Sequence, residues 1–123
     1  MTDPLIDRAE KAAARLAPLA AHTERHGVDR ATLDCLAGAG LYGLLGPESV
    51  TGRAPSAAVY REVAELLAGA DATTWFVWFQ HHPVVKMLAA AANENLARRC
   101  SRPCALAPPR PASPSATCVR PRW

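Results

Sequence analysis

The stretch GAGLYG, Gly38 to Gly43, fits the pattern G-x-G-x-x-G. That pattern marks a dinucleotide-binding loop only where a strand runs in and a helix runs out. The residues before it, ATLDCLA, follow the good helix cap Asp29 and carry apolar residues at helical spacing. The residues after it, LLGPE, cannot open a helix, because Pro47 disfavours helical geometry at Gly46. Both flanks are wrong for a phosphate cradle. The spacing instead predicts a helix from Asp29 to about Ala39, with Leu33, Leu36 and Ala37 inward and Gly40 as the left-handed residue that ends it.

The same reading extends outward in both directions. Asp3 caps a helix with Pro4 at its first position, and Leu5, Ala9, Ala12, Leu16 and Leu19 form one stripe. Pro18 is expected to kink or divide that helix before Gly27 ends it. LYGLLGPESVTGRAP is a loop with three glycines and two prolines. A third helical segment runs from about Ser56 to Gly69, with Val59, Tyr60, Val63, Leu66 and Leu67 inward and Arg61 and Glu65 spaced for an i, i+4 pair. A fourth runs from Asp71 to about Ala92. Trp75 to Phe79 are apolar around its whole circumference, which predicts a buried central helix, and Pro83 is expected to bend it. ENLARR is a candidate short fifth helix.

After Arg99 the character changes. CSRPCALAPPRPASPSATCVRPRW has prolines at 103, 108, 109, 111, 114 and 121 and no periodicity, so its composition predicts disorder. The net charge of +3 comes from this tail. Residues 1–99 hold all eleven acids and ten of the fourteen bases, ten minus eleven giving −1. The basic excess is therefore not a nucleic-acid face on a folded domain. The chain of 123 residues has room for one small domain. WFVWF is its longest bulky apolar run, too short for a membrane span, and MTDPLIDRAEK lacks the form of a signal peptide; a cytoplasmic location is expected.

Few residues suggest chemistry. His22 and His26 have the i, i+4 spacing of a zinc pair, but no further ligand is placed near them, so no metal site is expected. Cys100 and Cys104 fall in the Pro-rich tail. His81 and His82 sit in the most apolar segment. There they are either satisfied core histidines or polar tips in the wall of a ligand pocket. No Ser-His-Asp or paired-carboxylate constellation can be assembled, and no catalytic residue is assigned.

LAPLAAHTERHG, LDCLAGAGLYGLLGPE and YREVAELLAGADATTWFVWFQHH, in this order, resemble the N-terminal helical domain of the acyl-CoA dehydrogenase family. In that family a helix ends in Ala-Gly-Leu and Gly-Leu-x-x-Pro-Glu follows. The next helix ends in a Glu-x-x-Ala-x-x-Asp-Ala-Ser/Thr pattern, which Glu62 or Glu65, Ala68, Asp71, Ala72 and Thr73 fit. The loop PESVTGR departs from the family form, with Val50 for an aromatic and one glycine, Gly52. The resemblance covers about residues 3 to 99. It implies an all-α fold, the N-terminal helical bundle of that family over residues 1–99, followed by a disordered Pro/Arg-rich tail over 100–123.

The resemblance also implies an FAD enzyme that oxidises acyl-CoA, with the N-terminal helices walling the acyl pocket. Trp78, Phe79 and His82 are the substrate-pocket candidates. The flavin-binding strands and the catalytic carboxylate of the family have no candidate in this chain. It is therefore expected to be inactive alone, to bind no FAD by itself, and not to form the family homo-oligomer. The flavin-dependent hydroxylase branch of the same fold, which places a histidine-bearing helix near the flavin, is an alternative, slightly favoured by Trp75 and Trp78. A stand-alone helical interaction module is another. A one-base shift after Arg99 permits an apolar Leu-x-x-Leu spacing followed by a strand-like run, so the tail reads as out of frame, and the DNA around codons 99 and 100 tests this. In such a fragment part of Trp75 to Phe79 and Val84 to Leu88 is expected to be exposed, in a helical, partly molten species.

Overall fold

The computed structural model describes residues 3–46 and 54–90, together with 95 and 99. Among them there are helices and no strands. Helix α1 spans Pro4–Leu16, a 3₁₀ turn spans Ala17–Leu19, and α2 spans Ala20–His26. Helix α3 spans Arg30–Gly38, α4 spans Ala57–Ala70 and α5 spans Ala72–Ala90. The division at Pro18 is the expected break, made by tightening into the 3₁₀ turn.

Asp3 and Asp29, read as caps from the sequence, cap their helices, and Ser56 and Asp71, read only as segment starts, cap theirs as well. The Asp3 carboxylate accepts from the Leu5 N–H at 2.8 Å, Asp29 from the Thr32 N–H at 2.7 Å, and the Ser56 hydroxyl from the Val59 N–H at 3.3 Å. Asp71 starts α5 and is itself buried. It accepts from the Thr73 and Thr74 N–H groups at 3.0 and 3.1 Å and from the buried Thr74 hydroxyl at 2.7 Å.

The end of α3 resolves the glycine pattern. Gly40 has φ +72°. Its N–H donates to the Ala37 carbonyl at 2.9 Å, and the Leu41 N–H reaches back to the Leu36 carbonyl at 3.1 Å. These two bonds make a Schellman cap, and its usual apolar clasp is the pair Leu36 and Leu41, both fully buried. The backbone donors that a phosphate loop would turn outward are used here on the helix itself.

The core gathers Leu5, Ala9, Ala12 and Leu16 of α1, Leu36 and Leu41, Leu44, Val63 and Leu67 of α4, and Trp78 of α5. Helix α1 lies mainly on α4, α4 on α5, and α2 on α5. Leu19 leaves the expected stripe and is exposed, because the 3₁₀ turn rotates it away from the face that α1 buries. Arg61 and Glu65 do not pair; the described i, i+4 ion pairs are Lys11–Asp7 and Arg30–Asp34.

Helix α5 corrects the expectation of a helix buried all round and agrees with the expectation that part of Trp75 to Phe79 and Val84 to Leu88 is exposed. It is not covered on all sides. Thr74, Trp78, His82 and Val85 are buried, while Phe76, Val77, Phe79, Val84 and Met87 are exposed, Met87 to 74%. The described neighbours, α2, α4 and the turn after α3, cover one flank only. Pro83 lies inside α5 and does not end it. Asn95 and Arg99 are helical; the rest of the candidate fifth helix, Pro47–Glu48 and the tail 100–123 lie outside the described residues.

Candidate functional site

Among the described residues, the buried side-chain nitrogens without a hydrogen-bond partner all lie on α5. Trp78 and His82 are one helical turn apart and neither is exposed to solvent. Their ring centroids are 4.3 Å apart, and Tyr60 of α4 stacks on Trp78 at 5.7 Å and meets His82 edge-on at 5.5 Å. The Trp78 Nε1–H donates to the Leu41 carbonyl at 2.8 Å. The Schellman cap of α3 thus sets the carbonyl that fixes the indole, and the indole fixes the imidazole beside it.

His82 Nδ1 lies 2.9 Å from the Trp78 carbonyl oxygen. A carbonyl can only accept, so Nδ1 carries the proton and Nε2 presents its lone pair. That Nε2 has no hydrogen-bond partner among the described residues. Burial lowers the imidazole pKa to about 4; the Trp78 and Leu41 carbonyls pull it up and neighbouring His81 pushes it down. At neutral pH the ring is an uncharged acceptor. His81 meets Tyr42 edge-on at 4.8 Å, burial lowers its pKa as well, and its Nε2 is also unpartnered. Trp75 Nε1 is a third unpartnered ring nitrogen. One helix therefore carries two acceptor-capable imidazole nitrogens and one indole donor without partners among the described residues. Buried polar atoms are ordinarily paired, so such a group is suited to a ligand or to ordered water.

Of the three expected pocket residues, Trp78 and His82 come together and Phe79 does not join them. Phe79 stacks on Trp75 at 5.4 Å on the exposed flank of α5. Tyr42 and Tyr60 were not singled out as site residues. Tyr60 carried a signal as an inward residue of its helix, whereas Tyr42 reaches His81 only because the cap at Gly40 redirects the chain. His22 and His26 stack at 4.4 Å, and His26 Nδ1 bonds to the His22 carbonyl at 3.0 Å. No three His, Cys, Asp or Glu side chains among the described residues are placed to share a metal ion, and no described helix is long and apolar enough to cross a membrane.

Residues 5–106 match the model of the acyl-CoA dehydrogenase, N-terminal domain, family. No curated protein and no solved structure matches the chain. The match takes in α1 from its second residue, every later helix described above, the cap at Gly40 and the Asp71 turn, and it runs past Arg99 to residue 106. The chain belongs to the acyl-CoA dehydrogenase family, through its N-terminal domain.

Proposed function

We infer that this chain is the N-terminal helical part of a flavoprotein that oxidises acyl-CoA, and that the α4–α5 face contributes a wall of its substrate pocket. The observation that carries the reading is the family match over residues 5–106. The side chains support it. Trp78, Tyr60 and His82 form a rigid buried backing, and Phe79 and Trp75 extend an apolar surface along the helix. A pocket of this kind orients a ligand through a few polar tips in an apolar wall.

The flavin in this family takes the hydride removed from the substrate. The glycine turn offers it no backbone cradle. The backbone donors of the glycine turn are spent on the cap of α3, and the bare ring nitrogens lie along one helix. No step through the flavin is assigned to this chain, and alone it is inactive. The test is to purify it with added FAD and assay acyl-CoA oxidation with an artificial electron acceptor. Neither bound flavin nor turnover is expected; a yellow, active protein overturns the inactivity. Quenching of tryptophan fluorescence by acyl-CoAs, strengthening with chain length, is expected for a pocket wall, and quenching independent of chain length opposes it.

A second reading, the flavin-dependent monooxygenase branch, is favoured by one observation. The unpartnered nitrogens of Trp75, His81 and His82 suit a polar, ring-shaped substrate better than an acyl chain. Quenching by phenols that disappears in His82→Phe, with none by acyl-CoA, would select it.

A further inference from the structure

Helix α5 is anchored to the core through Thr74, Trp78, His82 and Val85. Its opposite side is apolar as well. Phe76, Gln80, Pro83 and Met87 recur at helical spacing and form one stripe facing away from Trp78 and Val85. Val77 and Val84 flank the stripe on one side and Phe79 on the other. All seven are exposed, Phe76 to 54%, Val84 to 55% and Met87 to 74%. From Ala72 to Ala90 the sequence holds no Asp, Glu or Arg, and its single lysine, Lys86, falls at the edge of the stripe. The outer face of a core-anchored helix ordinarily carries charges. A contiguous apolar stripe in that place marks an interaction surface.

The stripe is complementary to itself. A twofold axis between His81 and His82 sets two α5 helices antiparallel, and residues equally far from the axis then share a layer. Phe76 falls in one layer with Met87 of the second copy, and Gln80 with Pro83. An aromatic ring thus meets a flexible thioether in the outer layers, a favourable contact. Val77 and Val84 of the second copy lie along one side of the seam. On the other side Lys86 reaches Phe79 of the second copy, with its stem on the ring and its ammonium in water. Pro83 has no N–H to give the Phe79 carbonyl. The Gln80 amide of the second copy can supply a donor there. The exposed parts of Phe76, Val77, Phe79, Val84 and Met87 come to roughly 500 Å² per copy, and roughly 1,000 Å² for the pair reaches the lower end of specific interfaces. The net charge of +3 makes two copies repel each other little.

We propose that two copies of this chain associate through α5, antiparallel about a twofold axis between His81 and His82, with Phe76 against Met87 in the outer layers and Gln80 against Pro83 in the inner ones. The same patch serves both copies, so the contact closes at two. It does not rest on α5 lining a substrate pocket. Phe79 takes part in both readings, so the test contains no acyl-CoA.

The test is sedimentation equilibrium of the full chain over roughly 5 to 500 µM, the range in which an interface of this size associates. A reversible monomer–dimer equilibrium with nothing larger is expected. Phe76→Glu and Met87→Lys are each expected to weaken it about tenfold or more. Helical circular dichroism is expected to stay unchanged, because both side chains are exposed. An equimolar mixture of the two variants is expected to dimerise about tenfold better than either alone. Glu then meets Lys in one outer layer and the native pair remains in the other. Leu19→Glu, an exposed apolar position off the stripe, is expected to leave association unaltered. Four results would overturn the proposal: growth beyond the dimer, an equal loss in Leu19→Glu, no recovery in the mixture, or a monomer at every concentration. A monomer that sediments with phosphatidylcholine vesicles would assign the stripe to a lipid surface instead.

Discussion

The indole N–H of Trp78 donates to the carbonyl oxygen of Leu41 at 2.8 Å, joining two fully buried residues 37 positions apart in the chain. The bond ties the turn that ends α3 to the middle of α5. Replacing Trp78 by Phe keeps an aromatic ring but leaves the Leu41 carbonyl without this donor. The expected loss is about 1–3 kcal/mol for the orphaned group, with a further loss from the smaller ring. Urea unfolding followed by far-ultraviolet circular dichroism measures it; an unchanged midpoint would show that the bond contributes nothing.

The neutral His82 makes stability depend on pH. Its folded pKa is lowered to about 4, against an ordinary value of 6.5. As pH falls below 6.5 the unfolded chain takes up the proton first, so stability is full above that pH and is lost progressively toward pH 4. Over the whole window the loss is on the order of 3 kcal/mol. His81, lowered in the same direction, adds to the slope. His82→Phe is expected to flatten the difference between urea midpoints at pH 7.5 and 5.0. A variant with the wild-type slope would contradict a buried neutral imidazole.

Two glycines of the same motif are expected to respond in opposite ways. Gly40→Ala places a side chain at φ +72° and against the Arg8 guanidinium, costing about 1–2 kcal/mol. Gly38→Ala, helical and with open space around its Cβ, is expected to stabilise by up to about 1 kcal/mol. Thermal melts of the two variants, shifted down and up respectively, check the cap; shifts of the same sign would contradict it.

Asp71 holds the start of α5 with three accepted hydrogen bonds. Asp71→Ala is expected to cost about 2 kcal/mol, the upper end for a lost cap, because the buried Thr74 hydroxyl also loses its acceptor. Asp71→Asn retains an acceptor oxygen and is expected to cost less. Equal losses in the two variants, read from chemical denaturation, would show that the cap is not the cause.

The local order of this protein was legible in its residues. Asp3–Pro4, Asp29, Ser56 and Asp71 mark helix starts through side chains that reach only two or three residues along the chain. Pro18 marks a break and Gly40 an end through backbone sterics that involve no distant partner. The family resemblance was legible for the same reason, since its words are mostly caps and turns. Tertiary structure decided what these helices expose and which polar atoms meet. The composition of Trp75 to Phe79 is apolar on every side, yet burial depends on how many neighbours arrive, and those described cover one flank. Trp78 and His82 could be named from the sequence, but not the Leu41 carbonyl that holds the indole, nor the proton on Nδ1. Each of these depends on the distance between segments far apart in sequence, which the packing of helices sets and no local spacing encodes.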